Sequence, residues 1–421
     1  MIVKLPFATA TFALDLRGLR VRPLLPTAPA GAEDAAPLVA AAVDAPLAGA
    51  PLQELARGRR SAVVVVPDAT RRAALAQTLP VLLERLGGAG VPRERTTVLL
   101  ACGTHPSSDA EHLSALVGRL PSGVGLEQHD ARDDSRLVSV GRLSTGLELR
   151  LNRRVVEAEL VVTIAPVSHH YFAGFGGGPK MIFPGLAGYV EIQTNHARVL
   201  DLAGPQPCRH FGCEPGVLVG NPVAEEIAEA ADLRAPDLCI CLVPGADQPV
   251  AAAYAGPWRV AFKAAVSSRR SWYEIPPESH RLVVAGAGGA PTDTTLIQAH
   301  KALDAACRFA EPGGEVLFVA ALDGGAGSSA MEPFLDDPRP EAILASLGDR
   351  WVQYGHTTLR LVDKTNRYRV HLYSRLDPAR AARLGFAPVT HPGEVIDSWR
   401  RRFPGVTVGL MEKGAVYPSR G

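Results

Sequence analysis

The stretch SAVVVVPDATRRAALAQTLPVLLERL, residues 61–86, decides the fold. Four consecutive valines leave no polar side chain to face water, so the strand they form must be covered on both sides. Strands of that kind belong to parallel sheets. The run ends at Pro67-Asp68, and a helical pattern follows from Arg71 to about Leu86. The alternation continues with a strand at TTVLLAC (96–102), a helix over 109–117, a strand at LVVTIAPV (160–167) and a helix over 186–202. A second series begins after RRSWYEIPPESH (270–280), whose paired prolines suit a linker. It comprises RLVVAGAGGAP (281–291), a helix over 294–309, GEVLFVAAL (314–322), a helix over about 332–347 and the strand RVHLYS (369–374). The expectation is an α/β protein of two domains, each a mainly parallel sheet flanked by helices, with the active site in the cleft between them. The boundaries read as 1–272, joined by a C-terminal segment 395–421, and 273–394. The Ala/Pro-rich tract 26–52 reads as an irregular connection.

Composition narrows the function. The chain has 421 residues, 47% of them hydrophobic and 21% charged, in keeping with two globular domains. A net charge of +1 and 6% aromatics remove the electrostatic and stacking grounds for nucleic-acid binding. Lys4 and Asp15 interrupt the apolar N-terminus, which therefore lacks the core of a secretory signal, and no run is long enough to span a membrane. Six cysteines in so long a chain are no disulfide framework. A cytoplasmic enzyme is expected.

In an open parallel sheet, ligands bind beyond the carboxyl ends of the strands. Those ends carry Asp68-Ala69-Thr70-Arg71, then Gly103-Thr104-His105, then Ser168-His169-His170 with the glycine run Gly176, Gly177, Gly178 and Lys180. The second series adds Gly286 to Gly289, with Gln298 and Lys301 one helical turn apart. Glycine loops admit backbone N–H groups to an anion, so a phosphate or carboxylate ligand is implied. Pro179-Lys180-Met181 is not the Gly-Lys-Ser/Thr of a Walker loop, and Pro179 and Pro291 each break a dinucleotide fingerprint. Histidines on separate loops suit a different task. Inverting a stereocentre beside a carboxylate needs proton handling on both faces of the substrate, and imidazole has the pKa for it.

These residues resemble the lactate racemase family, whose members use a covalently tethered nickel-pincer nucleotide. The resemblance rests on DATR (68–71), GTH (103–105), HHYFAGFGGGPKMIFPG (169–185), NH (195–196), GNP (220–222) and GGAPTDTTLIQAHKAL (288–303), which keep the family's order across most of the chain. It implies that residues 1–272 form the cofactor-binding domain. Lys180 would be joined to the cofactor by an amide-type bond, His196 would be the protein ligand to nickel, and His105 and His170 the paired acid/base residues. It also implies cofactor contacts from Asp68, Thr70, Gly176, Gly177 and Gly178, and substrate contacts from Arg71, Gln298, Lys301 and Trp351. The reaction implied is racemisation or epimerisation of a 2-hydroxyacid by proton-coupled hydride transfer. Expected partners are the small 2-hydroxyacid, the enzymes that make and load the cofactor, and a second copy of the chain as a homodimer, with neither nucleic acid nor membrane. Pro106 stands where the family commonly has arginine, and Ile297 where it often has an aromatic residue, so lactate, malate, longer 2-hydroxyacids and sugar acids all stay open as substrates.

Plainer readings stand beside these. Taken alone, His105 is a helix-capping loop histidine, Lys180 a phosphate-binding or solvated lysine, and His196 a packed helical histidine. His169 is read as structural. CRHFGC (208–213) offers too few ligands for structural zinc, and EQHDARDDSR (127–136) reads as a solvated loop. Two other functions stay open. A nicotinamide-dependent 2-hydroxyacid dehydrogenase would need free dinucleotide. A non-catalytic binder of the cofactor or of a phosphorylated ligand would not need the two histidines.

Overall fold

In the computed structural model, which describes residues 1–68, 73–204, 206–413 and 416–420, the chain divides into two units. One comprises residues 28–199 and 210–271, the other residues 1–27, 200–209 and 272–421. Each is an α/β unit built on a six-stranded sheet.

In the larger unit the sheet runs Val250–Gly256, Leu238–Pro244, Leu160–Pro166, Ala62–Pro67, Thr96–Ala101, Gly125–Gln128. Every pairing is parallel except that between the first two strands. The four valines sit near the middle, and all six residues of Ala62–Pro67 are buried. Because strand side chains alternate, Val64 and Val66 join the core formed with Leu75, Leu79, Leu82 and Leu86 of the Leu75–Gly88 helix. Val63 and Val65, on the opposite face, are buried as well. Each such side chain contributes about 1.5–3 kcal/mol on burial, and this layer is the chief reason the unit holds together.

The smaller unit's sheet runs Ala387–Pro388, Arg369–Tyr373, Ala310–Val319, His280–Gly286, Thr407–Met411, Arg20–Pro23, all parallel. Its core holds one buried polar knot. The Glu315 carboxylate accepts from Trp399 Nε1 at 2.8 Å, lies 3.0 Å from His371 Nε2 and pairs with Arg402 at 2.6 Å. Burial alone would raise its pKa, but these donors prevail and hold it at about 2.

The units are cut differently from the expected 1–272 and 273–394. Residues 1–27 and the segment 395–421 both group with the smaller unit. The reason is pairing: Arg20–Pro23 lies parallel to Thr407–Met411, which in turn pairs with His280–Gly286. The expected linker is ordered structure, with the Trp258–Tyr273 helix running into it and Glu274–Ile275 pairing with Tyr417–Pro418. The tract 26–52 contains the helix Ala36–Asp44, which buries Val39 and Val43. The helix expected over 332–347 is instead a 3-10 turn, Ser329–Leu335, and a helix, Pro340–Asp349, because Pro338 and Pro340 interrupt the pattern. The one expected over 186–202 spans only Tyr189–Ala197, and Leu200–Asp201 pairs with Cys208–Arg209. Among the described residues no helix is long and apolar enough to cross a membrane.

Leu79→Ala should cost about 2–5 kcal/mol, since the fully buried side chain leaves a cavity under the sheet; urea unfolding measures it. Glu315 gives a pH test. Its folded pKa is depressed, so its stabilisation is complete above the unfolded value near 4.5 and lost as pH falls toward about 2. Glu315→Gln should therefore flatten the pH dependence of the urea midpoint over that interval.

Candidate active site

Strand order fixes where a site can form. From Ala62–Pro67 the chain steps outward to Thr96–Ala101 and Gly125–Gln128, then returns to place Leu160–Pro166 on the other side of Ala62–Pro67. The reversal leaves a crevice at the carboxyl ends of those two central strands. A cavity opens there, lined by Asp68, Gly103, Thr104, His105, Ser168, His170, Gly176, Gly177, Lys180 and His196.

Two of the three cavity imidazoles, those of His105 and His170, are held with opposite polarity. His105 Nδ1 lies 2.6 Å from Asp68 Oδ2. A carboxylate can only accept, so the ring proton sits on Nδ1 and Nε2 is left as a base. His170 is fixed the other way round, because its Nδ1 accepts the N–H of Ala173 at 3.2 Å. In the neutral ring its proton is then on Nε2, which becomes a donor. Asp68, expected as a cofactor contact, is thus also the residue that orients His105.

His170 stands on a two-residue hairpin arm, paired with Gly174 across His169–His170 and Gly174–Phe175. The loop then turns through Gly177, at φ 75°, where a Cβ would meet the Pro166 carbonyl oxygen at 2.5 Å. No other residue fits there. Gly176 and Gly177 line the cavity, whereas Gly178 packs so closely on Phe262 that a Cβ would lie 2.4 Å from its ring. Lys180 follows on the turn Gly178–Met181, and His196 lies on the helix Tyr189–Ala197.

One residue that sequence reasoning quoted without a role organises this group. Phe172, 2% exposed, has its ring centroid 4.6 Å from that of His170, 5.1 Å from that of His196 and 5.6 Å from Lys180 Nζ. Its carbonyl accepts from Asn221 Nδ2 at 2.9 Å, and Asn221 Oδ1 caps the helix Pro222–Leu233 through Ala224 N–H. Asn195, beside His196, is equally buried and donates from Nδ2 to Glu226 and to the Val223 carbonyl. The asparagines of NH and GNP therefore serve position rather than chemistry; their only signal in sequence was their place in the motifs.

Other cavity groups are chemically quiet. Burial pushes the Cys102 thiol up to about 12, so it stays protonated. Cys213 is buried and Cys208 exposed, and among the described residues no three His, Cys, Asp or Glu side chains converge as a metal cage. Within 127–136, expected as a solvated loop, His129 is instead buried, with its Nε2 2.9 Å from the Ala187 carbonyl. Thr70 and Arg71 lie outside the described residues. Gln298 and Lys301 belong to the smaller unit and do share a helix face, with Lys301 Nζ donating to Gln298 Oε1 at 2.6 Å. Trp351, in the same unit, stacks on His356 at 5.2 Å.

A doubly wound α/β unit whose switch point gathers a carboxylate-oriented imidazole, a second imidazole, a lysine and a glycine loop belongs to the ligand-binding α/β class. Residues 9–204 match the lactate racemase N-terminal domain. The chain is 29% identical over 320 residues to a lactate racemase of Lactiplantibacillus plantarum, covering 73% of this chain and 74% of that protein. It is 25% identical over 393 residues to a lactate racemase of Thermoanaerobacterium thermosaccharolyticum, covering 86% and 88%. The fold superposes on the lactate racemase apoprotein of the latter organism with a TM-score of 0.87 at 22% identity over the whole of both chains. A Thermotoga maritima protein matches with a TM-score of 0.67 at 16% identity, over 88% of this chain and 97% of that one. By the matched domain and these relatives, the chain is similar to the lactate racemases over most of its length.

Asp68→Asn should remove the far-downfield imidazole Nδ1 proton of His105 from the proton NMR spectrum while leaving the fold intact. Asn221→Ala should lower stability by about 1–2 kcal/mol in urea unfolding, through loss of the helix cap and of the bond to Phe172.

Proposed function

We propose that the protein is an isomerase, a racemase or epimerase of 2-hydroxyacids, acting with a nickel-pincer nucleotide tethered to Lys180. The observation that carries this reading is the single cavity lined by Lys180, His196, His105 and His170. The residues present suit the group. Lys180 offers the amine for the tether and His196 an imidazole for nickel, the remaining donors coming from the cofactor's own sulfur and carbon atoms. The cavity-lining backbone of Gly176 and Gly177 suits the nucleotide phosphate. When bound, the cofactor supplies the hydride acceptor that no side chain can provide.

The chain's own residues handle protons. His105 Nε2, left without the ring proton because Nδ1–H faces the Asp68 carboxylate, takes the substrate hydroxyl proton from one enantiomer. On the other face His170 holds the substrate oxygen with its Nε2–H, and it would return a proton to that oxygen only as the imidazolium, reverting to the neutral ring. Asp68 does not transfer a proton; it keeps the His105 tautomer and stabilises the imidazolium as it forms. Gln298, Lys301 and Trp351 remain our candidates for substrate contacts, with Arg71 for the carboxylate, on the strength of the family resemblance. The compartment we propose is the cytoplasm, in keeping with cysteines that are all free thiols.

The test is intact-mass analysis and nickel determination on protein coexpressed with cofactor-making enzymes, followed by a chirality assay over lactate, malate and longer 2-hydroxyacids. A covalent adduct lost in Lys180→Ala is expected, with nickel lost in His196→Ala; no adduct on the wild-type chain overturns the proposal. His105→Gln and His170→Gln should each lower kcat by about 10²–10⁴-fold with the adduct retained.

A further inference from the structure

The helix Tyr189–Ala197, which carries His196 to the cavity, has little apolar surface to hold it. Nine residues make a marginal helix, and the side chains it buries are those of Glu191, Ile192 and Asn195. One apolar anchor does not fix how a short helix is turned about its own axis. Polar contacts at its two ends do so instead. At the start, Glu191, 2% exposed, pairs with Arg150 of the strand Glu148–Asn152. At the finish stands Glu226, equally buried, on the neighbouring helix Pro222–Leu233. Its Oε2 accepts from Asn195 Nδ2 at 2.9 Å. Its Oε1 pairs with Arg198 at 2.9 Å and accepts from Thr145 Oγ1 at 2.5 Å.

We infer that Glu226 is the positioning residue for the His196 imidazole. Asn195 and Arg198 are three residues apart and share a helix face, with His196 about 100° round from Asn195. Gripping both from one carboxylate fixes the height and the rotation of the last turn, and with them the direction in which His196 leaves it. The imidazole is thereby held with its ring centroid 5.1 Å from that of Phe172, at an interplanar angle of 70°. A carboxylate is needed here rather than any acceptor. Donors converge on both of its oxygens, so a glutamine amide would set its NH2 against one of them whichever way it turned. Where a ring nitrogen is to meet a metal, outer contacts of this kind orient the ligand and tune its hold. The consequence for nickel rests on the proposed role of His196; the placing of its ring does not.

Isotope labelling of the histidine rings lets NMR follow His196 in the full-length chain free of cofactor, with His196→Gln identifying its signals. The Phe172 ring current shifts those protons, so they report where the imidazole stands. Glu226→Gln should move them toward the values of an unpacked imidazole. Leu79→Ala, which lowers stability elsewhere in the same unit, should leave them in place; this separates positioning from a general loss of stability. In protein carrying nickel, EDTA should strip the metal about tenfold faster from Glu226→Gln than from the wild type, with the Lys180 adduct retained. Arg198→Met, at a half-buried position, cuts one of the two anchors and should move the same signals, which keeps the test open should Glu226→Gln fail to fold. Unmoved His196 signals, equal movement in Leu79→Ala, or unchanged nickel release overturns the inference. A wild-type chain that takes up no nickel overturns the proposed function instead, and the histidine signals still decide the part played by Glu226.

Discussion

The side-chain amide of Asn221 is the joint on which the candidate site hangs. It is fully buried, and it satisfies a helix N-terminus and the Phe172 carbonyl at once. Neither of those groups could be left unpaired inside the protein without costing about 1–3 kcal/mol. Phe172 in turn spaces three functional side chains with one rigid ring. An aromatic hub suits that task, because it has few rotamers to lose and fixes its neighbours through shape rather than through titratable bonds. His170, His196 and Lys180 are therefore spaced by a ring that does not itself titrate.

The cavity presents His105 and His170 with their ring nitrogens held differently. The difference lies in what each Nδ1 meets: a carboxylate oxygen for His105, a backbone N–H for His170. A reaction that runs in both directions across one carbon needs such a pair, since the product of one face is the substrate of the other. On the proposed reading, the same residue type in two settings meets this need.

The doubly covered strands were legible because burial on both faces writes itself as unbroken valine and leucine. The four-valine run pointed to the parallel sheet, and the list of strand ends supplied about half of the cavity lining. Boundaries were less legible where proline and pairing competed with periodicity, as at Pro338 and Pro340. The grouping of residues 1–27 with the smaller unit could not be read locally, because it depends on a partner strand at 407–411, near the other end of the chain. At the site, residue types that do chemistry announced themselves, while those that hold it in place did not. Asn195, Asn221 and Phe172 have ordinary identities; only their contacts distinguish them. At Gly178, expected from the resemblance as a cofactor contact, the close packing of Phe262 leaves no room for a side chain.

The parallel pairing of Arg20–Pro23 with Thr407–Met411 has a consequence for how the protein is made. Translation delivers the second of these strands long after the first, with the whole of the larger unit in between. All residues of the larger unit are out of the ribosome before the smaller sheet can gain its edge. Ile2–Phe7 and Ala10–Asp15 can pair with each other at once, but Arg20–Pro23 must wait for its partner until the larger unit has been made. This short, arginine-bearing strand, with charges at Arg20 and Arg22, is well suited to waiting without finding the wrong neighbour.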